Sequence, residues 1–376
     1  MGYASRDGPA AFDFAQGKEA GHYVLPDTTY VSRRRFLKHS ALIGAAALTS
    51  GVSAPEAREL QQRGAPASAT KRPIRIVMGG YGPATTGFSL ALKQIGDRLE
   101  AKFGTLVDIR YVYNILDVGY RSEDILWLVE DGVLTLGYQS SSYLTDRIPA
   151  LGVVDLPFLF SDATTARAAM DGALGRALTA RVEAATSFRI VGYFENGFRH
   201  VSNRVRPVHT PADMKGLSIR VLPSQVQARA FELLGANPKV MDLTEAIEAI
   251  KAGTLDAQEN PFSNTVTYGV HQYHRFHTAT NHFYVSRPIF VHRPSFDVWP
   301  RPLQDELREA VRGAVAFQRD LHVKEEADAA VAIAMARGEI VELMMAERQA
   351  FVSAVSPIYG EARKQFSRDL LTLVNL

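Results

Sequence analysis

The 376-residue sequence has no cysteine, only two tryptophans and almost no net charge. Without cysteine the chain cannot form a disulfide, a thiolate metal site, an iron–sulfur cluster, a cysteine nucleophile or a lipid-modified N-terminal cysteine. Its 42 Lys and Arg nearly balance 40 Asp and Glu, and a charge of +2 is no footprint for nucleic acid. The 46% apolar and 22% charged residues are instead typical of an ordinary globular protein.

Motifs of the common enzyme classes are missing as well. The sequence contains no P-loop, no GxSxG, no HExxH and no GxGxxG after a predicted strand. His271, His274 and His277 are three residues apart, whereas a zinc pair on a helix usually has a spacing of four and needs a third ligand. We therefore expect surface or packed histidines, and the sequence predicts neither a metal site nor a cofactor.

The N-terminal region has the parts of an export signal. A basic stretch at 32–38 (SRRRFLK) precedes a short apolar run at 41–48 and small residues at 52–54. The apolar run is far shorter than the roughly 20 residues that span a bilayer. The arginine pair followed by Phe-Leu-Lys resembles the twin-arginine signal, which carries folded proteins across the inner membrane. The alternative is a buried Ala-rich helix after a basic loop.

This interpretation divides the start of the chain into two parts. Residues 1–54 are expected to be a signal with an upstream leader that is removed, and residues 55–72 a flexible leader. Residues 1–30 lie upstream of where such signals normally start, so we expect translation to begin near Val31.

Beyond the leader, runs typical of strands and helices alternate, which predicts the α/β class with parallel sheets and crossover helices. The expected elements are strands at 74–78, 107–112 and 133–136, a helix after Thr86, and a helix with Ser122 as its N-cap.

The same order recurs about 120 residues later, with strands expected at 217–222 and 255–257 and helices at 225–234 and 244–251. When Gly132 is aligned with Gly253, Gln139 falls on Asn260. Open α/β sheets bind ligands at the carboxyl ends of their strands, so two such units predict two lobes with polar tips. The alternative is chance, because helix–Gly–strand is common in α/β proteins.

A helical stretch is expected at 302–343. It is either one long helix across the back of both lobes or two helices broken near Gly338.

Two arginines on predicted strands are candidates for anion binding. Arg220 lies in the strand LSIRV, and a guanidinium fork matches a carboxylate bidentately. Arg199 lies at a predicted crossing between the lobes. A surface or structural ion pair is the alternative for each arginine. The residues by themselves indicate a two-lobed, exported α/β protein that binds an anion.

Three motifs in sequence order add a family resemblance. They are LPFLF at 156–160, NGFR at 196–199 and the run from Thr210 to Pro261 that contains LSIRVLPS, MDLTEA and QENP. Together they resemble the DctP-type solute-binding proteins of TRAP transporters, and the resemblance extends from about residue 72 to the C-terminus.

The resemblance implies a periplasmic-binding-protein-like fold of two lobes with hinge strands and a long C-terminal helix spanning both. It implies lobe I at 73–197 plus 286–325 and lobe II at 198–285 plus 326–365.

It also implies roles for individual residues. The family's carboxylate-clamping arginine falls on Arg220, its supporting arginine on Arg199 and its binding asparagine on Asn260. Leu243 stands where many members carry an aromatic residue that packs on the ligand. In the first lobe, the family's specificity positions fall on Tyr138, Gln139 and Ser140. Tyr81, in the loop after the first strand, is a weaker candidate for lining the site.

The implied function is capture of a small organic acid and its delivery to the small and large membrane subunits of a TRAP transporter. The mature protein is expected in the periplasm, not inserted in the membrane and without nucleic acid. The first alternative is a periplasmic ligand-sensing protein on the same fold. The second is a periplasmic lyase or hydrolase, for which Glu259 is the nearby carboxylate, although a structural ion pair is the expectation for that residue.

Overall fold

A computed structural model describes residues 72–376, so the predicted signal and nearly all of the predicted leader lie outside the described residues. Strands and helices alternate through most of the described chain, and the strands form two sheets. In chain order the strands are β1 (Ile74–Gly79), β2 (Val107–Val112), β3 (Leu136–Tyr138), β4 (Phe188–Phe198), β5 (His200–Asn203), β6 (Ser218–Val221), β7 (Asn237–Val240), β8 (Ala257–Asn260), β9 (Phe276–Ala279), β10 (Tyr284–His292) and β11 (Glu339–Glu342).

The α-helices of the same residues differ widely in length. In chain order they are α1 (Gly87–Phe103), α2 (Ile125–Glu130), α3 (Ala163–Asp171), α4 (Ala173–Ala185), α5 (Gln225–Leu233), α6 (Leu243–Lys251), α7 (Phe262–Thr267), α8 (Arg293–Asp297), α9 (Arg301–Met335), α10 (Met345–Val355), α11 (Pro357–Gln365) and α12 (Arg368–Leu373). Between residues 72 and 376, no helix has both the length and the apolar composition of a membrane span.

Sheet I has the strand order β2-β1-β3-β10-β4 and is the centre of lobe I. Strand β1 runs parallel to β2 and β3, whereas β10 runs antiparallel to β3 and β4. Helix α1 buries Leu92, Ile95 and Leu99, which belong to the same hydrophobic core as Ile76 of β1. The parallel β–α–β start of the chain is therefore formed as the sequence predicts.

Sheet II has the order β11-β9-β5-β8-β6-β7 and is the centre of lobe II. Strand β6 is parallel to β7 and β8, and β5 is antiparallel to β8 and β9. Each parallel group points its carboxyl ends at one edge of its sheet, and that edge carries the polar residues of the site.

The chain passes directly between the sheets at two places. Strand β4 of sheet I is separated from β5 of sheet II by Arg199 alone, and residues 280–283 join β9 to β10. The two crossings are hydrogen bonded to each other, since the Arg199 N–H donates to the Phe283 carbonyl at 2.9 Å. The expectation of two α/β lobes with hinge strands is confirmed.

Helix α9 contains 35 residues and contacts both lobes. Its first half packs on α1 and β4, where Val311 approaches Gly192, and its second half packs on α7, where Ile333 contacts Phe262. The expected long helix is thus confirmed, but it ends at Met335. Strand β11 follows it because residues 339–342 pair with β9 instead of continuing the helix.

Three local expectations are corrected. Ser122 is not an N-cap, because residues 122–124 form a 3-10 turn ahead of α2 and its hydroxyl bonds to Asp242. Strand β3 begins at Leu136 instead of residue 133, since the Leu134 N–H bonds back to the Leu128 carbonyl of α2. Leu255 packs in a small hydrophobic cluster with α6, and β8 begins only at Ala257.

The histidines of the HQYHRFH stretch are packed in lobe II. His274 is buried, with Nδ1 2.9 Å from the Ser202 hydroxyl of β5, and His277 is buried with Nε2 3.0 Å from the His274 carbonyl. In the described part of the chain, no group of three or more His, Asp or Glu side chains is placed to hold a metal ion. Burial lowers the pKa of His274 to about 3.

This burial predicts acid sensitivity. The ordinary pKa of histidine is 6.5, so below that pH His274 is protonated in the unfolded chain but stays neutral in the folded protein. The free energy of unfolding therefore decreases as the pH is lowered. We expect His274→Gln to remove about 2 kcal/mol of the loss in unfolding free energy between pH 7 and pH 5. Denaturant titrations at both pH values measure it.

Ser202→Ala is the matched control. It removes the hydrogen-bond partner of His274 without removing a titratable group, so it should retain the wild-type pH dependence. An identical pH dependence in His274→Gln and wild type would contradict the assignment.

Candidate functional site

Seven of the eight predicted site residues line one small cavity of about 20 Å³ between the two lobes. Both sheets contribute to it through the loops and strand ends at their edges. The seven are Tyr81, Gln139 and Ser140 from lobe I, Arg199 at the crossing, and Arg220, Leu243 and Asn260 from lobe II. The eighth, Tyr138, lines an adjacent cavity of about 270 Å³. Seven of the residues predicted from the sequence therefore meet at one cavity.

Arg220 is completely enclosed at the end of β6, with 1% of its surface exposed. Its Nε donates to the Met241 carbonyl at 3.1 Å, and its Nη2 donates to the Tyr143 hydroxyl at 2.9 Å. Among residues 72–376, no carboxylate oxygen lies within 4.0 Å of this guanidinium. Burying a charge is costly unless it is paired, so Arg220 is a candidate for pairing with an anion.

Arg199 differs, because its fork is already occupied. Its Nε and Nη2 pair with the carboxylate of Glu259 on β8, and Nη2 also donates to the Glu259 carbonyl at 2.6 Å. Both side chains are almost fully buried, and His282 Nε2 lies 3.6 Å from the same carboxylate. Burial alone would raise the pKa of Glu259, but Arg199 and His282 hold it below its ordinary value. The expected structural ion pair at Glu259 is present.

The polar end of β8 continues into an amide network. Asn260 donates to Gln258 at 2.9 Å, and Asn264 of α7 donates to Asn196 of β4 at 3.1 Å. Asn264 also lies 3.5 Å from the Asn260 side-chain oxygen. These bonds hold the Asn260 side chain at the cleft with a fixed orientation.

Gln139 and Ser140 follow directly after β3. The Gln139 amide donates to the Ser122 carbonyl at 2.7 Å and accepts from the Ser140 N–H at 2.8 Å. Both residues are buried, and they form part of the lobe I side of the cavity.

Tyr143 lines the same cavity and Asp242 lies beside it, and the sequence analysis indicated neither residue. The Tyr143 hydroxyl of lobe I accepts from Arg220 and from the Leu243 N–H of lobe II at 3.2 Å. Asp242, the N-cap of α6, accepts from the Ser122 hydroxyl at 2.6 Å and from the Glu123 N–H at 3.2 Å. These bonds join the two lobes across the cleft, so the structure is in a closed conformation.

Arg287 of β10 is a third missed residue, and it lines both cavities. Only 4% of its surface is exposed, and its Nε has no hydrogen-bond partner in the described structure. The rings of Tyr81, Phe88 and Tyr138 surround the guanidinium. A charged residue inside the mostly apolar strand YVSRPIFVH is the sequence signal that could have found it.

Comparison with known proteins assigns the chain to a family. A family model described as bacterial extracellular solute-binding protein, family 7 (DctP), matches residues 82–365. A solute-binding protein of Verminephrobacter eiseniae is 30% identical over 75% of this chain and 83% of its own length. The 2,3-diketo-L-gulonate-binding periplasmic protein YiaO of Escherichia coli is 29% identical, over 64% of this chain and 72% of its own length.

A solved structure has the same fold. The sugar acid binding protein DctPAm of Advenella mimigardefordensis, in complex with galactonate, superimposes with a TM-score of 0.77 at 24% identity, covering 81% of this chain and 97% of its own. The chain belongs to the DctP family, family 7 of the bacterial extracellular solute-binding proteins.

Proposed function

We propose that this protein captures a small organic acid by closing its two lobes around the acid's carboxylate, as the solute-binding subunit of a tripartite TRAP-type secondary transporter. The observation that carries the proposal is Arg220, a guanidinium buried between the lobes without a carboxylate partner among the described residues. A ligand carboxylate supplies the missing charge and matches the fork bidentately.

The ligand class rests on charge and on a relative. YiaO is named for binding 2,3-diketo-L-gulonate, which is a carboxylate. Uncharged solutes would leave Arg220 desolvated without a counter-charge, so the site selects against them.

Binding requires the lobes to open and close. A cavity of about 20 Å³ holds little more than one water molecule, and Tyr143 covers Arg220. Opening separates Tyr143 and Ser122 of lobe I from Arg220 and Asp242 of lobe II, which frees the guanidinium for an incoming carboxylate. Closure then restores the contact from Ser122 to Asp242 and excludes water, which strengthens each charged contact.

Arg199 is proposed to act by positioning. Its pairing with Glu259 fixes the crossing from β4 to β5 beside the ligand. The same pairing occupies the carboxylate that a lyase or hydrolase would need as a base, which favours binding over catalysis.

The remaining proposals concern location, partners and boundaries. The mature protein acts in the periplasm after export by the twin-arginine route and delivers its ligand to the small and large membrane subunits. Lobe I comprises residues 73–197 and 286–325, and lobe II comprises residues 198–285 and 326–365. The divisions at 197/198 and 285/286 lie within a few residues of the crossings at Arg199 and 280–283, and the division at 325/326 lies within α9.

Loss of the Arg220 charge tests the function. Wild type is screened by thermal shift against succinate, galactonate and 2,3-diketo-L-gulonate, because binding to the native state raises its melting temperature. We expect Arg220→Gln to weaken the best of these acids by roughly 100-fold or more in calorimetry, since a charge-assisted bidentate contact is lost.

Arg75→Gln, at an exposed pair with Asp108 on sheet I, is the matched control and should bind as wild type does. Undiminished acid binding by a folded Arg220→Gln protein would refute the carboxylate clamp.

The hydrogen bond from Ser122 to Asp242 joins the two lobes, so we expect it to slow ligand dissociation from the closed protein. Ser122→Ala removes a hydrogen bond to a carboxylate on the opposite lobe without altering Arg220. We expect roughly tenfold weaker acid binding, mostly through faster dissociation in stopped-flow measurements. Ser161→Ala, an exposed serine bonded to Asp162, should leave the rate unchanged. Equal dissociation rates for all three proteins would show that this contact does not hold the closed state.

The export signal is tested in cells. Replacing Arg33 and Arg34 by lysine should retain the protein in the cytoplasm, whereas lysine at Arg58 and Arg63 should leave export intact. Fractionation with immunoblotting measures location, and mass spectrometry of the exported protein should find Pro55 at its N-terminus. Normal export of the Arg33/Arg34 variant would contradict the twin-arginine route.

A further inference from the structure

Arg287 is a second buried cation in the cleft without a counter-ion. It lies on β10, whose register with β3 pairs Ile289 with Tyr138, so Arg287 sits just past the carboxyl end of β3, beside Gln139 and Ser140. No carboxylate oxygen of residues 72–376 lies within 4.0 Å of its guanidinium, and Nε has no hydrogen-bond partner there. Burying a guanidinium without a partner lowers the stability of the folded protein, so its presence here indicates a role other than stabilising the fold.

An aromatic cage holds this guanidinium in place. The Phe88 ring centroid lies 4.1 Å from Arg287 Cζ, the Tyr81 centroid 5.0 Å and the Tyr138 centroid 5.8 Å. Stacking uses the faces of a guanidinium and leaves the N–H groups at its edge free to donate. Burial raises the pKa of both tyrosines, so they remain neutral hydroxyls and do not balance the charge of Arg287.

Two acidic residues, Glu325 and Asp328, line the adjacent cavity, and both are engaged elsewhere. Asp328 is paired with Lys324. Glu325 of α9 accepts from the Gly87 N–H at 2.6 Å, at the start of α1. Two acidic groups beside the cleft are engaged as well, since Glu259 is bound to Arg199 and Asp242 accepts from Ser122. The free acceptor for Arg287 therefore has to come with the ligand.

Arg287 also stands where the two cavities meet. It lines the cavity of about 20 Å³ with Arg220 and the cavity of about 270 Å³ with Tyr138 and Thr267, and Asn264 and Tyr268 are common to both. A ligand bound through one carboxylate to Arg220 would have its other end near Arg287, with the larger cavity beyond it.

We propose that Arg287 is a specificity-determining residue that binds a second carboxylate of the ligand, so that the cleft prefers diacids over monoacids. This inference rests on the proposed function, because it takes the first carboxylate to be the one at Arg220. A monoacid leaves Arg287 buried and unpaired, whereas a diacid neutralises both guanidinium groups.

Matched acids that differ in one charge test the inference. Calorimetry compares succinate with succinamate, which has the same shape, and glucarate with gluconate, which has the same carbon chain. Wild type should bind at least one diacid roughly 10- to 100-fold more tightly than its partner. Arg287→Gln should remove that preference by weakening the diacid while changing the monoacid by no more than about threefold.

Arg287→Lys addresses the packing of the cage. It keeps the charge but loses the planar fork, so the diacid preference should shrink without disappearing. If Arg287→Gln shows no cooperative thermal unfolding and is therefore not properly folded, the diacid preference is measured in Arg287→Lys instead. Arg75→Gln should retain the full wild-type preference.

The outcomes distinguish failure of the Arg287 proposal from failure of the proposed capture of an organic acid at Arg220. Equal affinity of wild type for both members of each pair, with binding still lost in Arg220→Gln, would overturn the role of Arg287 alone. An equal loss for diacid and monoacid in Arg287→Gln would assign it a purely structural role and overturn the inference as well. Failure of every acid to bind wild type would refute both proposals.

Discussion

The ion pair between Arg199 and Glu259 occupies the point at which one sheet passes into the other. Arg199 is the single residue between β4 and β5, and Glu259 belongs to β8, the neighbour of β5 in sheet II. Removing one member of such a buried pair typically costs about 3–5 kcal/mol, because the other charge is left unpaired. The pair therefore fixes the path of the crossing, and with it the positions of Asn196 before it and Asn260 after Glu259.

The charge distribution of the cleft follows from this arrangement. Because Glu259 neutralises Arg199, the positive charge that remains at the cavity comes from Arg220 on lobe II and Arg287 on lobe I. Their partners in the closed structure are hydroxyl and carbonyl groups or aromatic rings, which stabilise a guanidinium without cancelling its charge. The electrostatic potential of such a cleft is locally positive and favours anions, although the chain as a whole carries a charge of only +2.

Much of the fold could be predicted, because its signals are local. The β-branched run of β1 and the apolar spacing of α1 predicted those elements nearly to the residue, and seven of the eight predicted site residues line one cavity. Two of the errors lie where tertiary contacts override local preference. Ser122 has the composition of an N-cap but bonds to Asp242 of the other lobe, and residues 339–342 leave a helical stretch to pair with β9. Neither partner is near in sequence.

The sequence by itself determined the α/β alternation, the family motifs and the arginine at the end of β6, because periodicity and motif spacing are properties of contiguous residues. Only the tertiary structure decided which charges remain free. Arg199, Arg220 and Arg287 are equally cationic in the sequence, yet folding places a carboxylate on the first, a tyrosine hydroxyl on the second and three aromatic rings around the third. Pairing depends on groups that are distant along the chain, and those distances are fixed only when both sheets and α9 have assembled.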